Sequence, residues 1–162
     1  MSSELRFDVL VLGGGGAALR AALSACEQGA KTAILSKGEA GKSGATYYSV
    51  AEVGAFNVPD GALDPEDSPE EFYRDMEMAA LGTAQLPLCR ILAEQAESAL
   101  QYLEKISGGT VFAKEDGHFK VYQACFSTRP RSHVVENHFK PILRALREEV
   151  ARRDITVLSG LQ

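Results

Sequence analysis

The chain has 162 residues, of which 45% are hydrophobic and 24% are charged, with a formal net charge of −5 at pH 7. These values predict one soluble globular domain, and the negative charge disfavours nucleic acid as its main partner. No apolar run approaches the roughly 20 residues that cross a bilayer. Cys26, Cys89 and Cys125 form no CxxC pair, so we expect no zinc site and a cytoplasmic location.

The first 36 residues predict a βαβ unit. The apolar run "FDVLVL" (7–12) is typical of a strand that is buried on both faces in a parallel sheet. A helical pattern follows over about 16–28 and ends at Gly29, and "KTAILS" (31–36) indicates a second strand. A strand, glycine turn, helix and strand in this order are typical of an α/β fold with parallel strands.

The rest of the chain predicts a helical insertion, a small hairpin and a third parallel strand. The predicted elements are a loop over most of 37–67, a helix capped by Ser68, a helix over about 87–106, a hairpin of "TVFA" and "HFKVYQ" around "KEDG", an irregular segment over 122–135, a helix to about Arg153, and a strand over 155–160. Three parallel strands make an incomplete Rossmann-like sheet, since doubly wound sheets carry more.

A glycine-rich turn lies between the first strand and the first helix. It reads G-x-G-x-x-A from Gly13 to Ala18. In such a motif Gly13 permits a tight turn, Gly15 lets the backbone approach a pyrophosphate, and Ala18 lets the helix pack close to the sheet. The amides and the positive dipole end of the helix then hold the phosphates. The position predicts a nucleotide site, and a purely structural turn is the alternative.

The end of the second strand departs from the usual dinucleotide pattern. Rossmann sites place an acidic residue here to bind the ribose hydroxyls, whereas this chain has Ser36 and Lys37. Ser36 offers one hydrogen bond to a ribose. Lys37 either adds positive charge near a phosphate or is a solvated loop lysine. The residues alone leave FAD, NAD and ADP open as the bound nucleotide.

Three stretches together carry a family resemblance. "DVLVLGGGGAALRAAL", "AILSK" and "SGAT" resemble the flavoprotein subunits of succinate dehydrogenase, fumarate reductase and L-aspartate oxidase, and "KSGA" and "HFKPI" are similar to the flavin subunit of adenylylsulfate reductases. The resemblance implies that residues 1–162 are the N-terminal portion of an FAD-binding domain, with the remainder of that domain and a substrate-capping domain outside this chain. It implies these cofactor-binding residues: Gly13, Gly15, Gly16, Ala17, Ala18, Ser36, Lys37, Ser43, Gly44, Ala45 and Thr46.

The resemblance also bears on how FAD is held. Ala45 stands where membrane-bound family members carry a histidine bonded to the flavin, so it implies non-covalent FAD. The pair Ala51 and Glu52 replaces the usual Gly-Gly pair near the flavin ring, which is a departure from the family pattern. Tyr47 and Tyr48 follow the loop, where they either border the flavin or pack against the sheet.

A basic cluster occurs in "STRPRSHVVENH". It contains Arg129, Arg131, His133 and His138. One interpretation is that this cluster contacts an anion, either a cofactor phosphate or an anionic substrate. The alternative is that it is an ordinary polar segment leading into a helix. His118, in the predicted hairpin, is expected to be exposed and inert.

Two functions are consistent with these residues. In the first, the chain is the FAD-binding portion of a flavoprotein oxidoreductase that exchanges a hydride with a small organic acid, and a second protein chain completes the FAD and substrate domains. The resemblance places the family's catalytic arginine and its histidine and arginine clamps far downstream, so no catalytic residue is predicted here, and no metal ligand. In the second, the chain is a non-catalytic module that binds FAD, NAD or ADP.

Overall fold

A computed structural model describes residues 4–48, 54–135 and 137–160. The chain divides into two compact units, one formed by Met1–Ala51 with Phe139–Gln162 and the other by Glu52–His138. In chain order, the elements are β1 (Val9–Leu12), α1 (Gly16–Glu27), β2 (Thr32–Ser36), β3 (Gly54–Asn57), α2 (Pro69–Ala80), α3 (Leu86–Ser107), β4 (Lys114–Glu115), β5 (His118–Phe119), β6 (Val121–Tyr122), β7 (Ser132–Val135), α4 (Lys140–Arg152) and β8 (Ile155–Ser159).

The first unit is a three-stranded parallel sheet with two helices. The strand order is β1-β2-β8, with Val9 paired to Thr32 and Thr32 paired to Ile155. The central strand β2 is the most buried of the three, as expected of a strand with neighbours on both sides. The predicted α/β fold with parallel strands and the predicted helix after the glycine turn are therefore confirmed.

The apolar faces of α1 and α4 form the core of this unit. The helices contact each other and bury aliphatic side chains at helical spacing. The buried set consists of Leu19, Ala22, Leu23, Ile142, Leu143, Ala145, Leu146 and Val150. Because α1 connects two adjacent parallel strands, this packing sets where its first turn lies at the carboxyl edge of the sheet.

The second unit combines α2 and α3 with short antiparallel strands. One sheet has the order β3-β7-β6, and β4 and β5 form a two-stranded hairpin. Helix α2 begins as predicted, because the Oγ atom of Ser68 accepts a hydrogen bond from the Glu71 amide at 3.3 Å. In the described part of the chain, no helix is both long enough and apolar enough to span a membrane.

Two local expectations about this unit, those for 122–135 and for the hairpin, were wrong in part. The segment 122–135, expected to be irregular, ends in β7, which is the central strand of its sheet. The described part of 37–67 is mostly loop, as expected, apart from the short strand β3. In the hairpin, Lys114 pairs with Phe119 around the predicted turn, and the Ala113 carbonyl of "TVFA" accepts from the Lys120 amide at 2.9 Å. Phe112 of the same stretch instead bridges to Val135. Strand β7 lacks an apolar pattern because Ser132 and His133 are buried through polar partners.

Candidate cofactor site

The chain leaves β1 through Gly13 and turns at once into α1. The amide of Gly13 donates to the carbonyl of Leu35 at 2.9 Å, which extends the β1–β2 pairing by one bond. Gly13 has φ +129°, a conformation that side-chain-bearing residues rarely adopt. A Cβ atom there would lie 3.7 Å from the Cβ of Ala18, so a small residue at position 18 is what lets the helix start close to the strand.

The loop 43–46 lies directly against this turn. A Cβ atom on Gly14 would come within 3.0 Å of the Ser43 Oγ, and one on Gly16 within 3.2 Å of the Thr46 Oγ1. The Gly14 carbonyl also accepts a 2.6 Å hydrogen bond from the Gly41 amide. Close packing of the loop therefore favours glycine at both positions, and the structure brings together the two predicted segments 13–18 and 43–46.

Gly15 differs from its neighbours. Its φ is −85°, which any residue adopts, and a Cβ atom would meet nothing nearer than the Ser43 carbonyl oxygen at 3.5 Å. Neither backbone conformation nor packing within the described residues explains a glycine at this position. Close approach of a group from outside the chain does explain it, which is the role of the second glycine in a pyrophosphate-binding turn.

The first turn of α1 supplies hydrogen-bond donors. The first helical bond runs from the Leu19 amide to the Gly15 carbonyl at 3.1 Å, and Gly15 offers no side-chain cap. Within the described residues, the amides of Gly16, Ala17 and Ala18 have no acceptor, and the turn contains no acidic side chain that would compete for them. Such a helix start binds anions, so the residues present fit a diphosphate.

Ser36 and Lys37 stand at the carboxyl end of β2. Ser36 is 3% exposed, and its hydroxyl donates to the Gly38 carbonyl at 2.6 Å and lies 3.2 Å from the Ser159 Oγ. Lys37 is exposed. The hydroxyl of Ser36 is thus already used inside the protein, and its contact with a ribose stays a prediction that requires it to share or exchange that bond.

Sequence comparison agrees with this geometry. The family model described as "FAD binding domain" matches residues 8–161, nearly the whole chain. The chain belongs to the FAD-binding domain family. FAD is the cofactor of that family. The family match therefore selects FAD from the three nucleotides, FAD, NAD and ADP, that the glycine turn alone left open.

This FAD-binding chain is similar to a curated protein of the predicted class. It is 35% identical over 169 aligned residues to a fumarate reductase (CoM/CoB) subunit from Methanothermobacter marburgensis, and the alignment covers 98% of the chain. The chain spans 28% of the length of that relative. The predicted resemblance to fumarate reductase and succinate dehydrogenase flavoproteins is confirmed.

Solved structures share the fold. Mycobacterium smegmatis Sdh1 in complex with UQ1 superposes with a TM-score of 0.81 at 24% identity, covering 95% of this chain and 27% of that one. The FrdA chain of E. coli quinol fumarate reductase superposes with a TM-score of 0.78 at 22% identity, covering 93% and 25%. At this identity the likeness supports the FAD-domain fold alone.

Other predicted site features of the FAD-binding chain are placed as follows. Ala45 is exposed in the loop beside the glycine turn. The rings of Tyr47 and Tyr48 meet edge to face at 4.9 Å, with Tyr47 half-buried and Tyr48 67% exposed. The pair Ala51 and Glu52 lies outside the described residues. His118 is exposed, as expected.

The basic cluster of the second unit binds acidic side chains of the same unit. Arg129 donates to Asp64 at 2.7 Å. Arg131 donates to Asp67 and Asp75. The His133 Nε2 lies 3.0 Å from an Asp60 oxygen, although out of line for a hydrogen bond. His138 has no partner for its buried Nδ1 among the described residues. The structural interpretation of Arg129, Arg131 and His133 therefore fits these contacts. Sequence reasoning overlooked the acidic partners, for which the spacing in "DGALDPED" was an available signal.

Three carboxyl groups in this network have lowered pKa values: that of Asp64, which accepts from Arg129, and those of Asp75 and Asp60. Burial acts to raise the pKa of Asp75, but hydrogen bonds from the Thr128 amide, the Thr128 hydroxyl and Arg131 outweigh it. Burial likewise acts to raise the pKa of Asp60, but the contacts with His133 and the Ala62 amide outweigh it, so that this pKa is also below its usual value. All three carboxylates are stabilised in the charged form, which is the state that holds their partners.

Proposed function

We propose that the chain is the FAD-binding portion of a flavoprotein oxidoreductase. The observation that carries the proposal concerns position 15. Neither backbone conformation nor packing among the described residues explains why it is a glycine, and the adjacent amides of Gly16, Ala17 and Ala18 have no acceptor among those residues. The family match and the likeness to a fumarate reductase subunit support the oxidoreductase class.

In this proposal the cofactor and the protein have different roles. Bound FAD supplies the transfer of a hydride, one proton with two electrons, to or from a carbon of a small organic acid. The residues of this chain bind and orient the cofactor: the amides of Gly16–Ala18 hold the diphosphate, Ser36 and Lys37 lie on the adenosine side, and loop 43–46 lies on the flavin side. Further polypeptide, in our proposal a second protein chain, supplies the substrate-binding groups, since the chain spans 28% of its curated relative.

We further propose that the FAD is held without a covalent bond and that the protein works in the cytoplasm. Ala45, at the position aligned with the histidine that carries the flavin in some family members, has a methyl side chain that forms no bond to a ring. The proposed cytoplasmic location rests on the three cysteines, Cys26, Cys89 and Cys125, which are free in the structure, as is typical of a reducing compartment.

Isolation of the tagged chain from its own cells tests the proposal. We expect the purified assembly to show flavin absorbance, acid precipitation to release the flavin into the supernatant, and a small dicarboxylate such as succinate or fumarate to change the flavin redox state under anaerobic conditions. A colourless assembly would rule out FAD binding. A yellow assembly whose flavin responds to no organic acid would instead favour the non-catalytic module.

A further inference from the structure

A small basic pocket adjoins the glycine turn in the first unit. It has a volume of about 170 Å³ and lies between α4 and the loop that follows β2. Its lining includes Tyr47 and four cationic side chains, which we call the α4 basic cluster: Lys42, Lys140, Arg144 and Arg147. A cavity of this size is below the range of nucleotide and drug-sized ligands, and it suits a small ion.

The α4 basic cluster carries excess positive charge. Glu39 accepts from Arg147 at 2.7 Å and lies 3.0 Å from the Lys42 Nζ, so one carboxylate serves two cations. Within the described ranges, Lys140 and Arg144 have no acidic partner. Four positive groups and one negative group leave a local charge of +3 in a chain whose net charge is −5.

The spacing along α4 concentrates this charge on one face. Residues 140, 144 and 147 are separated by four and three positions, so their side chains are neighbours on the helix surface. Like charges at this spacing destabilise a helix. An anion bound between them removes the repulsion, whereas without one the arrangement costs stability and serves no packing purpose for the exposed Lys140 and Arg144.

The pocket is also held in shape by a specific close contact. A Cβ atom on Gly41 would overlap the Cδ and Cγ atoms of Arg147, so the stem of this arginine occupies the space that a side chain at position 41 would need. Gly41 has φ +78° and donates to the Gly14 carbonyl at 2.6 Å. The same loop therefore positions Arg147 in the pocket and packs against the candidate diphosphate site.

We propose that the α4 basic cluster binds a small oxyanion carrying at least two negative charges, a phosphate or a dicarboxylate, at a site separate from the FAD diphosphate. Arginine guanidinium groups form charge-assisted hydrogen bonds with both kinds of ligand, and the lysines add point charge. Leu143 also lines the pocket, and its Cδ2 would lie 3.7 Å from a Cβ atom on Gly16. The oxyanion site is thus adjacent to the glycine turn, and its occupant sits beside the cofactor.

Calorimetric titration of the full chain, with and without FAD, tests the proposal. Inorganic phosphate is one titrant and succinate the other, at constant chloride. We expect saturable binding of at least one of them at one site per chain, and about a tenfold loss of affinity in the double variant Lys140→Gln/Arg144→Gln, because two solvent-exposed ion pairs with the anion are removed. Lys105→Gln, which removes an exposed lysine from α3, is the matched control and should bind as the unmodified chain does.

The outcomes separate the possible occupants. Tighter binding of phosphate or of succinate identifies the class of anion. Equal binding by the double variant and the control overturns the proposal, as does the absence of binding by both titrants. Loss of the site when FAD is added would assign the pocket to the cofactor itself and also overturn it. Because the FAD-free titration does not depend on the cofactor, failure of the proposed function leaves this test intact.

Discussion

Arg131 and Asp67 form a buried, two-pronged ion pair in the second unit. The Arg131 Nε lies 3.0 Å from one Asp67 oxygen, its Nη2 lies 2.6 Å from the other, and both side chains are 1% exposed. The remaining guanidinium nitrogen donates to Asp75 on α2, and the guanidinium carbon lies 5.1 Å from the centre of the Phe72 ring. One arginine at the start of β7 thus ties the loop before α2 and α2 itself to the sheet.

Removing Arg131 should destabilise the protein strongly. Arg131→Met leaves two carboxylates buried without their partner, and breaking a buried ion pair in this way costs about 3–5 kcal/mol in the free energy of unfolding. Urea unfolding measures the change. The matched control is Arg129→Met, whose ion pairs with Asp64 and Glu66 are partly solvated, and it should cost much less. Equal losses in the two variants would contradict the structural role assigned to Arg131.

The stability of the protein should fall in acid because of Asp75. Its pKa is lowered in the folded state from an ordinary value of 3.8. A lowered folded pKa contributes stability that is present above 3.8 and is lost as the pH drops through the folded value. We expect the urea midpoint to decline as the pH falls below 3.8. The decline should be less steep in Asp75→Asn than in Glu77→Gln, an exposed control on the same helix. Parallel pH profiles for the two variants would argue against this contribution.

Gly15→Val should abolish FAD binding without unfolding the chain. Space exists for the first atom of the side chain within the described residues, but the added methyl groups occupy the position that the diphosphate needs. Quenching of flavin fluorescence on titration with FAD measures the affinity, and circular dichroism monitors the fold. Ala21→Val adds the same branched bulk to an exposed position on α1 and should bind FAD normally. Retained affinity in Gly15→Val would remove the diphosphate from this turn.

Ser36→Ala should separate a packing role from a ribose contact. Loss of the hydrogen bond to the Gly38 carbonyl lowers the free energy of unfolding by about 1 kcal/mol. If the hydroxyl also contacts the ribose, the variant binds FAD more weakly, whereas Ser159→Ala removes only the neighbouring hydroxyl and keeps full affinity. A destabilised Ser36→Ala with unchanged affinity would show that Ser36 is a structural residue and that the ribose is held elsewhere.

Local sequence patterns were sufficient for the parts of the fold that depend on near neighbours. The glycine turn, helix α1 and the parallel pairing of β1 and β2 lie within 36 residues, so strand length, helical spacing and turn chemistry predict them directly. The cap at Ser68 is equally local. The resemblance that leads to FAD is also carried by short stretches of the first 46 residues, each of which can be recognised without knowledge of the tertiary structure.

Tertiary structure decided the features that join distant residues. Strand β7 was not predicted because it buries polar side chains, and the partner of Ser132, Asn57, lies 75 residues away in sequence. The roles of Arg129 and Arg131 also depend on distant residues. In the sequence these cations could bind a ligand, but in the structure they form hydrogen bonds with Asp64 and Asp67. The approach of loop 43–46 to the turn, and of Arg147 to Gly41, likewise depends on packing. The sequence by itself was sufficient to indicate FAD as the cofactor. Only the tertiary structure decided which positive charges are paired within the protein and which remain available to bind another ligand.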